Sequence, residues 1–158
     1  MPMGTRYRGS ADEIRALDAF IELMRASDGL TAELARQVGA ADLTLGQFGV
    51  LEALLHLGPM CQQALGAKLL RSGSNITVVI DNLEKRQLVR RTRREDDRRM
   101  IDVALTPKGR TLIRRLFPAH ARRITELFAA LTAAEQRQLG DLCRTLGKRL
   151  HRENDHHD

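Results

Sequence analysis

Aromatic side chains are almost missing from this chain, which has one Tyr, four Phe and no Trp among 158 residues. Proteins that bind single-stranded nucleic acid stack bases on aromatic platforms, so that mode is disfavoured from the outset. Cysteine is equally sparse. Cys61 and Cys143 make no disulfide framework and, by their spacing, no zinc site. No apolar run approaches the roughly twenty residues of a membrane span. The amino-terminal MPMGTRYRGSADE lacks the apolar stretch of a secretory signal, so the cytoplasm is the expected compartment. Catalytic signatures are missing too: no Gly-rich phosphate loop, no G-x-S-x-G, no His-Glu-x-x-His and no convergent carboxylate pair. An enzyme is not expected, and neither is a cofactor or a metal.

What is present is helix-forming and basic. Leu, Ala and Arg dominate, which favours helix. An apolar fraction of 42% offsets the entropy of ordering, so a folded core is expected within a single domain, 1–158. The formal charge is +6, and it is concentrated. Residues 85–99, KRQLVRRTRREDDRR, hold eight basic and three acidic residues, whereas residues 1–60 hold five basic and eight acidic ones. Basic charge gathered on one short stretch is the electrostatic footprint of a polyanion-binding element. The bland alternative is a solubilising charged loop.

Hydrophobic periodicity organises the rest. Residues 1–10 read as a loose tail. From Ala11 to about Ala40, Ile14, Leu17, Ile21, Met24, Leu30, Leu34 and Val38 recur at helical spacing, with Gly29 a possible bend. Thr44-Leu-Gly-Gln47 has the form of a capping box opening a second, deeply buried helix that Gly58-Pro59 ends. A short helix at about 62–70, a break at Ser72-Gly73-Ser74 and a helix at about 74–87 give the helix-turn-helix pattern. In the later of these helices Ile76, Val79, Ile80 and Leu83 form the core face. Ser74, Asn75, Val78, Asp81 and Asn82 lie opposite, with Thr77 at the margin.

Leu88-Val89 opens one strand and Met100–Leu105 alternates like a second, with Arg93–Arg98 as the hairpin tip between them. Thr106-Pro107 restarts a helix as cap and first helical residue, and Pro118 is expected to kink or interrupt it. Thr132-Ala-Ala-Glu135 opens a last helix with Leu139, Leu142, Leu146 and Leu150 inward and Cys143 packed on its apolar side. The expected class is mainly α (α+β): a winged helix-turn-helix lobe at 44–105 with a two-stranded β wing, flanked by long terminal helices at 11–40 and 107–152. Those helices have no third layer to cover them, which favours dimerisation.

The stretches LGAKLLRSGSNITVVIDNLEKRQLV (65–89) and DDRRMIDVALTPKG (96–109) resemble the MarR family of bacterial transcriptional regulators. The family's wing pattern of Asp-Arg-Arg, apolar strand, Leu-Thr and Gly is met by Asp97, Arg98, Arg99, Leu105, Thr106 and Gly109. The resemblance spans about residues 10–150. Three positions depart from it: Cys61 stands where relatives usually have Ser or Thr, Gln87 where Gly is common, and Arg94 where Asp is frequent.

The resemblance implies a homodimer binding near-palindromic double-stranded DNA, usually as a repressor released by a small, often aromatic or phenolic effector. Recognition helices about 34 Å apart would enter successive major grooves. Ser74, Asn75, Thr77, Val78 and Asn82 are the candidates for the groove, because Asn can pair with adenine and Val can pack on a thymine methyl. A solvated polar face is the plain alternative. With no Arg or Lys between Ser72 and Glu84, guanine readout by this helix is limited. Arg98 is the minor-groove candidate, Arg93 and Arg94 are candidate phosphate clamps, and Asp97 with Arg99 would shape the hairpin. Cys61, at or beside a helix amino terminus, is a candidate redox thiol, against the reading of a small buried residue. His56 and His120 read as structural. His151, Asp155, His156, His157 and Asp158 could chelate a metal, but a frayed tail is the better reading.

Overall fold

The computed structural model describes residues 4–69 and 75–154, the last four of these as backbone only. Its elements run α1 (Ala11–Gly39), α2 (Leu45–Leu57), β1 (Met60–Cys61), α3 (Gln62–Leu69), α4 (Ile76–Lys85), β2 (Val89–Arg93), β3 (Ile101–Leu105), α5 (Pro107–Phe128) and α6 (Ala133–Asn154). The chain divides into two compact units, Met1–His120 and Ala121–Asp158.

Local chemistry sets most boundaries. Thr44 and Gln47 form the expected capping box, each side chain bonding the other's backbone N–H. Thr132 and Glu135 do the same ahead of α6. A third box, Ser10 with Glu13, opens α1, so the residues read as a loose tail end in a specific cap. α1 runs through Gly29 as one helix. Helix α5 likewise continues through Pro118, whose missing N–H leaves one carbonyl of the preceding turn without its usual partner.

The core of the first unit gathers around α2. Val50, Leu51 and Leu54 pack with Leu65 of α3, Ile80 and Leu83 of α4, Val89, Val103 and Leu105 of the sheet, and Ile113 of α5, all buried. Ile76 and Val79 complete the inner face of α4 from its edge. The sheet has a strand beyond the hairpin. β1 pairs antiparallel with β3 (Met60 opposite Val103, Cys61 opposite Asp102), so the order is β1-β3-β2 and β3 is central. Two residues are too few for a period-two pattern, which is why only the wing strands are legible in the sequence.

In the second unit the expected inward stripe of α6 is instead exposed. Leu142, Leu146 and Leu150 are each about half open to solvent or more, and Cys143 is exposed rather than packed. The periodicity marks a real apolar face, but a single chain gives it little to bury against.

The end of α4 is built on an unusual residue. Gln87 has φ of 60°, in the left-handed region. Its N–H donates to the Glu84 carbonyl and the N–H of Leu88 donates to the Leu83 carbonyl, the bond pattern of a Schellman motif. Glycine suits that position because a Cβ there crowds the following carbonyl. Gln87→Gly is expected to raise stability by about 0.5–1 kcal/mol, read as a higher urea midpoint at constant m-value.

Candidate nucleic-acid interface

α4 presents its outer face from a capped start. Asn75 is the N-cap, its side-chain oxygen accepting from the Thr77 N–H at 3.0 Å. That oxygen is committed to the helix, and the amide NH2 faces outward with the rest of an exposed side chain. Val78 is 52% exposed, an apolar side chain on an otherwise polar surface. Asn82 lies one turn further and is also exposed. Thr77 is drawn to the margin, its hydroxyl accepting from Gln62 Nε2 at 3.2 Å. Ser74 lies outside the described residues.

The wing carries the charge. Its tip, residues 94–100, is closed by the Arg94 N–H donating to the Met100 carbonyl and the Met100 N–H donating to the Asp97 carbonyl. Asp97 Oδ1 accepts from the backbone N–H of Arg99 at 3.0 Å and from its Nε at 3.4 Å. Arg94 points back along the strand, its Nε 3.0 Å from both oxygens of Asp102. That carboxylate holds the guanidinium more firmly protonated and fixes one edge of it, leaving its terminal nitrogens for an outside acceptor. Arg93 and Arg98 are exposed, and neither side chain has a hydrogen bond or ion pair among the described residues.

One residue that sequence reasoning passed over ties the two elements together. Arg91 of β2 is the most enclosed of the paired arginines, its side chain 20% exposed. It meets Asp81 Oδ1 at 2.6 Å and Glu84 Oε1 at 3.5 Å on α4. It also donates to the Thr77 carbonyl at 3.2 Å and, through Nε, to Gln62 Oε1 on α3 at 3.1 Å. Its backbone N–H donates to Glu84 Oε2. Charge counting registers Arg91 as one more surface cation; its partners lie up to 29 positions away in sequence. Arg91→Ala is expected to cost about 1–2 kcal/mol of stability, since two carboxylates lose a partly enclosed partner. Thermal melts read that loss.

Cys61 is half-buried in β1, directly before α3 and opposite Asp102. Away from this surface, His120 sits against Phe48, ring centroids 4.4 Å apart, and beside Phe117. Its Nδ1 lies 3.1 Å from Gln37 Oε1, while Gln37 Nε2 donates to the Ala119 carbonyl. The ring therefore donates to Gln37. Burial pushes its pKa below the ordinary histidine value, opposed in part by Glu52. His56 Nδ1 lies 3.0 Å from the Glu52 carbonyl of its own helix, and its ring meets Phe117 edge-on. Among the described residues no three metal-ligating side chains converge, and no helix is long and apolar enough to cross a membrane. The carboxy-terminal His and Asp side chains lie outside the described residues.

A helix-turn-helix segment abutting a basic two-stranded hairpin defines the winged-helix class. The MarR family model matches residues 43–101, the span from the start of α2 to the start of β3. Across 133 residues the chain is 32% identical to the HTH-type transcriptional regulator MhqR of Bacillus subtilis, covering 84% of this chain and 92% of that protein. It is similar at 29% identity and TM-score 0.72 to Bordetella bronchiseptica BpsR, covering 82% of this chain and 98% of that one. Sco3205 of Streptomyces coelicolor, a MarR family regulator solved in complex with DNA, shares the fold with TM-score 0.80 at 24% identity over 92% of both chains. The chain belongs to the MarR family of DNA-binding transcriptional regulators.

Proposed function

We propose that the protein is a homodimeric repressor that reads a near-palindromic operator in double-stranded DNA and is released by a small effector. The observation that carries the reading is the exposed outer face of α4 beside a wing whose Arg93 and Arg98 side chains have no partner among the described residues. Asn82, Val78, Thr77 and the amide of Asn75 face the major groove, together with Ser74. Arg98 enters the minor groove, where A·T tracts concentrate negative potential, and Arg93 contacts phosphate. Arg94 joins it through its terminal nitrogens only. Asp97 and Arg99 hold the tip in shape.

The exposed leucines of α6 and the apolar residues Leu17, Phe20 and Met24 of α1, all exposed, supply the dimerisation surface. On this reading residues 1–158 are one domain, the lobe at 44–105 binding DNA and the helices at 11–40 and 107–152 pairing the protomers. The protein works in the cytoplasm and catalyses no reaction.

The effector reading draws on the family resemblance and on BpsR, whose DNA binding is regulated by 6-hydroxynicotinic acid. An effector that fits one arrangement of the dimer shifts operator affinity by linkage. Oxidation of Cys61, opposite the wing strand β3, is the rival release signal.

A gel shift against the DNA upstream of the protein's own gene, repeated across salt, tests the DNA reading. Sequence-specific retention whose log affinity falls with log salt, by about 0.9 per phosphate neutralised, is the expected result. Retention of random DNA to the same extent would defeat it. Adding phenolic compounds or peroxide to the assay separates the two release signals.

A further inference from the structure

We propose that Gln62, at the start of α3, fixes Thr77 as a hydrogen-bond donor toward DNA, so that Thr77 disfavours cytosine at one position of each operator half-site. The inference rests on the placement of the outer face of α4 in the major groove, and it names what one residue of that face reads there.

A threonine hydroxyl is by itself a poor discriminator. It carries one hydrogen and two lone pairs and rotates to suit, so it pairs with acceptor and amino groups alike. Here a chain of partners narrows that choice, and its polarity is settled at the far end. Arg91 Nε donates to Gln62 Oε1 at 3.1 Å. A guanidinium has donors only, so the amide of Gln62 must turn its oxygen to Arg91 and its NH2 the other way. Nε2 of that amide lies 3.2 Å from Thr77 Oγ1. An NH2 only donates, so the hydroxyl is the acceptor of this bond. Its own hydrogen is thereby excluded from the inner side, and among the described residues no group accepts it. Thr77 is exposed, so the hydrogen is presented to whatever docks on α4.

The chain is anchored. Asp81 and Glu84 hold Arg91, which also donates to the Thr77 carbonyl at 3.2 Å. One arginine therefore fixes the backbone of the residue whose hydroxyl Gln62 orients. Each bond in the chain polarises the next, which strengthens the hydroxyl as a donor. In the major groove guanine offers N7 and O6, adenine N7 and thymine O4 as acceptors, whereas cytosine offers only its amino group. Against cytosine the outward hydrogen meets another hydrogen and goes unbonded where water is excluded, and that costs more than an idle lone pair. Gln62 acts through Thr77 and is a positioning residue.

The test selects duplexes from a randomised palindromic library with the parent, Thr77→Val, Gln62→Met and Gln62→Glu. It is run at about pH 8, so that the introduced carboxyl is ionised. Thr77→Val keeps the shape without the hydroxyl, and the position where it loses the parent's preference is the one Thr77 reads. There the parent is expected to disfavour cytosine at least about fivefold. Gln62→Met frees the hydroxyl to rotate and should lose that discrimination while preferences elsewhere in the half-site stay. In Gln62→Glu the carboxylate accepts from both Arg91 and Thr77 and turns the hydroxyl hydrogen inward. Cytosine and adenine, through their amino groups, should then become the preferred bases at that position. The proposal is overturned if both Gln62 variants keep the parent's preference there, or weaken every position alike. It is equally overturned if Thr77→Val changes no preference. Failure of the parent to select any sequence would overturn the DNA reading and this inference with it, whereas the other outcomes leave that reading standing.

Discussion

Gly109→Ala is expected to destabilise the protein by about 3 kcal/mol or more, enough to threaten a domain of this size. An added Cβ would lie 1.9 Å from the Leu88 carbonyl oxygen, 2.8 Å from its carbon and 3.2 Å from its Cα. All three are backbone atoms, so no side chain can swing aside. Nor can the carbonyl turn away, because it accepts the N–H of Thr106 at 3.1 Å. Thr106 is itself doubly held, its hydroxyl donating to the Gln87 carbonyl at 2.6 Å and accepting the Gly109 N–H at 3.0 Å. Relief would require lifting the first turn of α5 off the chain that leaves α4. Alanine has the better helix propensity, but that gain of about 1 kcal/mol is the smaller effect. Urea unfolding measures the outcome. A variant within about 1 kcal/mol of the parent would mean the close approach is not maintained in solution.

Arg98→Ala should produce the opposite profile, an intact fold and a weakened operator complex. The side chain is exposed and unengaged among the described residues, so its removal leaves no buried group without a partner and the melting temperature should not move. Affinity for the operator should fall about tenfold or more, as expected when a cation is removed from a narrow groove. The slope of log affinity against log salt should decrease by about 0.9 for each phosphate that is no longer neutralised. Affinity equal to the parent at every salt concentration would remove Arg98 from the interface. Arg98→Lys separates charge from shape, since lysine keeps the charge without the planar fork.

The elements visible in sequence are those written in local chemistry. Thr44 with Gln47 and Thr132 with Glu135 announce their helices within four residues, and the i, i+3, i+4, i+7 pattern of Ile76, Val79, Ile80 and Leu83 fixes which face of α4 turns inward. Ser10 with Glu13 carries the same signal at the start of α1. Cys143 misleads because an apolar stripe does not say whether its own chain covers it.

The site is legible in composition more than in detail. Counting charges within 85–99 gives a strongly basic stretch, yet beyond the Asp97–Arg99 pair the acids that answer it lie outside. Asp81 and Glu84 meet Arg91, and Asp102 meets Arg94. Which cations stay available for a polyanion depends on tertiary proximity, and a count along the chain does not contain it. Arg93 and Arg98 are distinguished from Arg91 by their neighbours, not by their type.

The bridge that Arg91 builds between β2 and α4 bears on the tempo of recognition. Two probes already locked at a fixed separation need no search for their mutual geometry after the first touch. Under the proposed mode of DNA binding, such a surface would dock as a rigid body, with encounter governed by diffusion and long-range attraction rather than by a slow adjustment of loops. Its discrimination would then reside in how long a complex lasts, because a site with the wrong spacing would satisfy one probe only and let go.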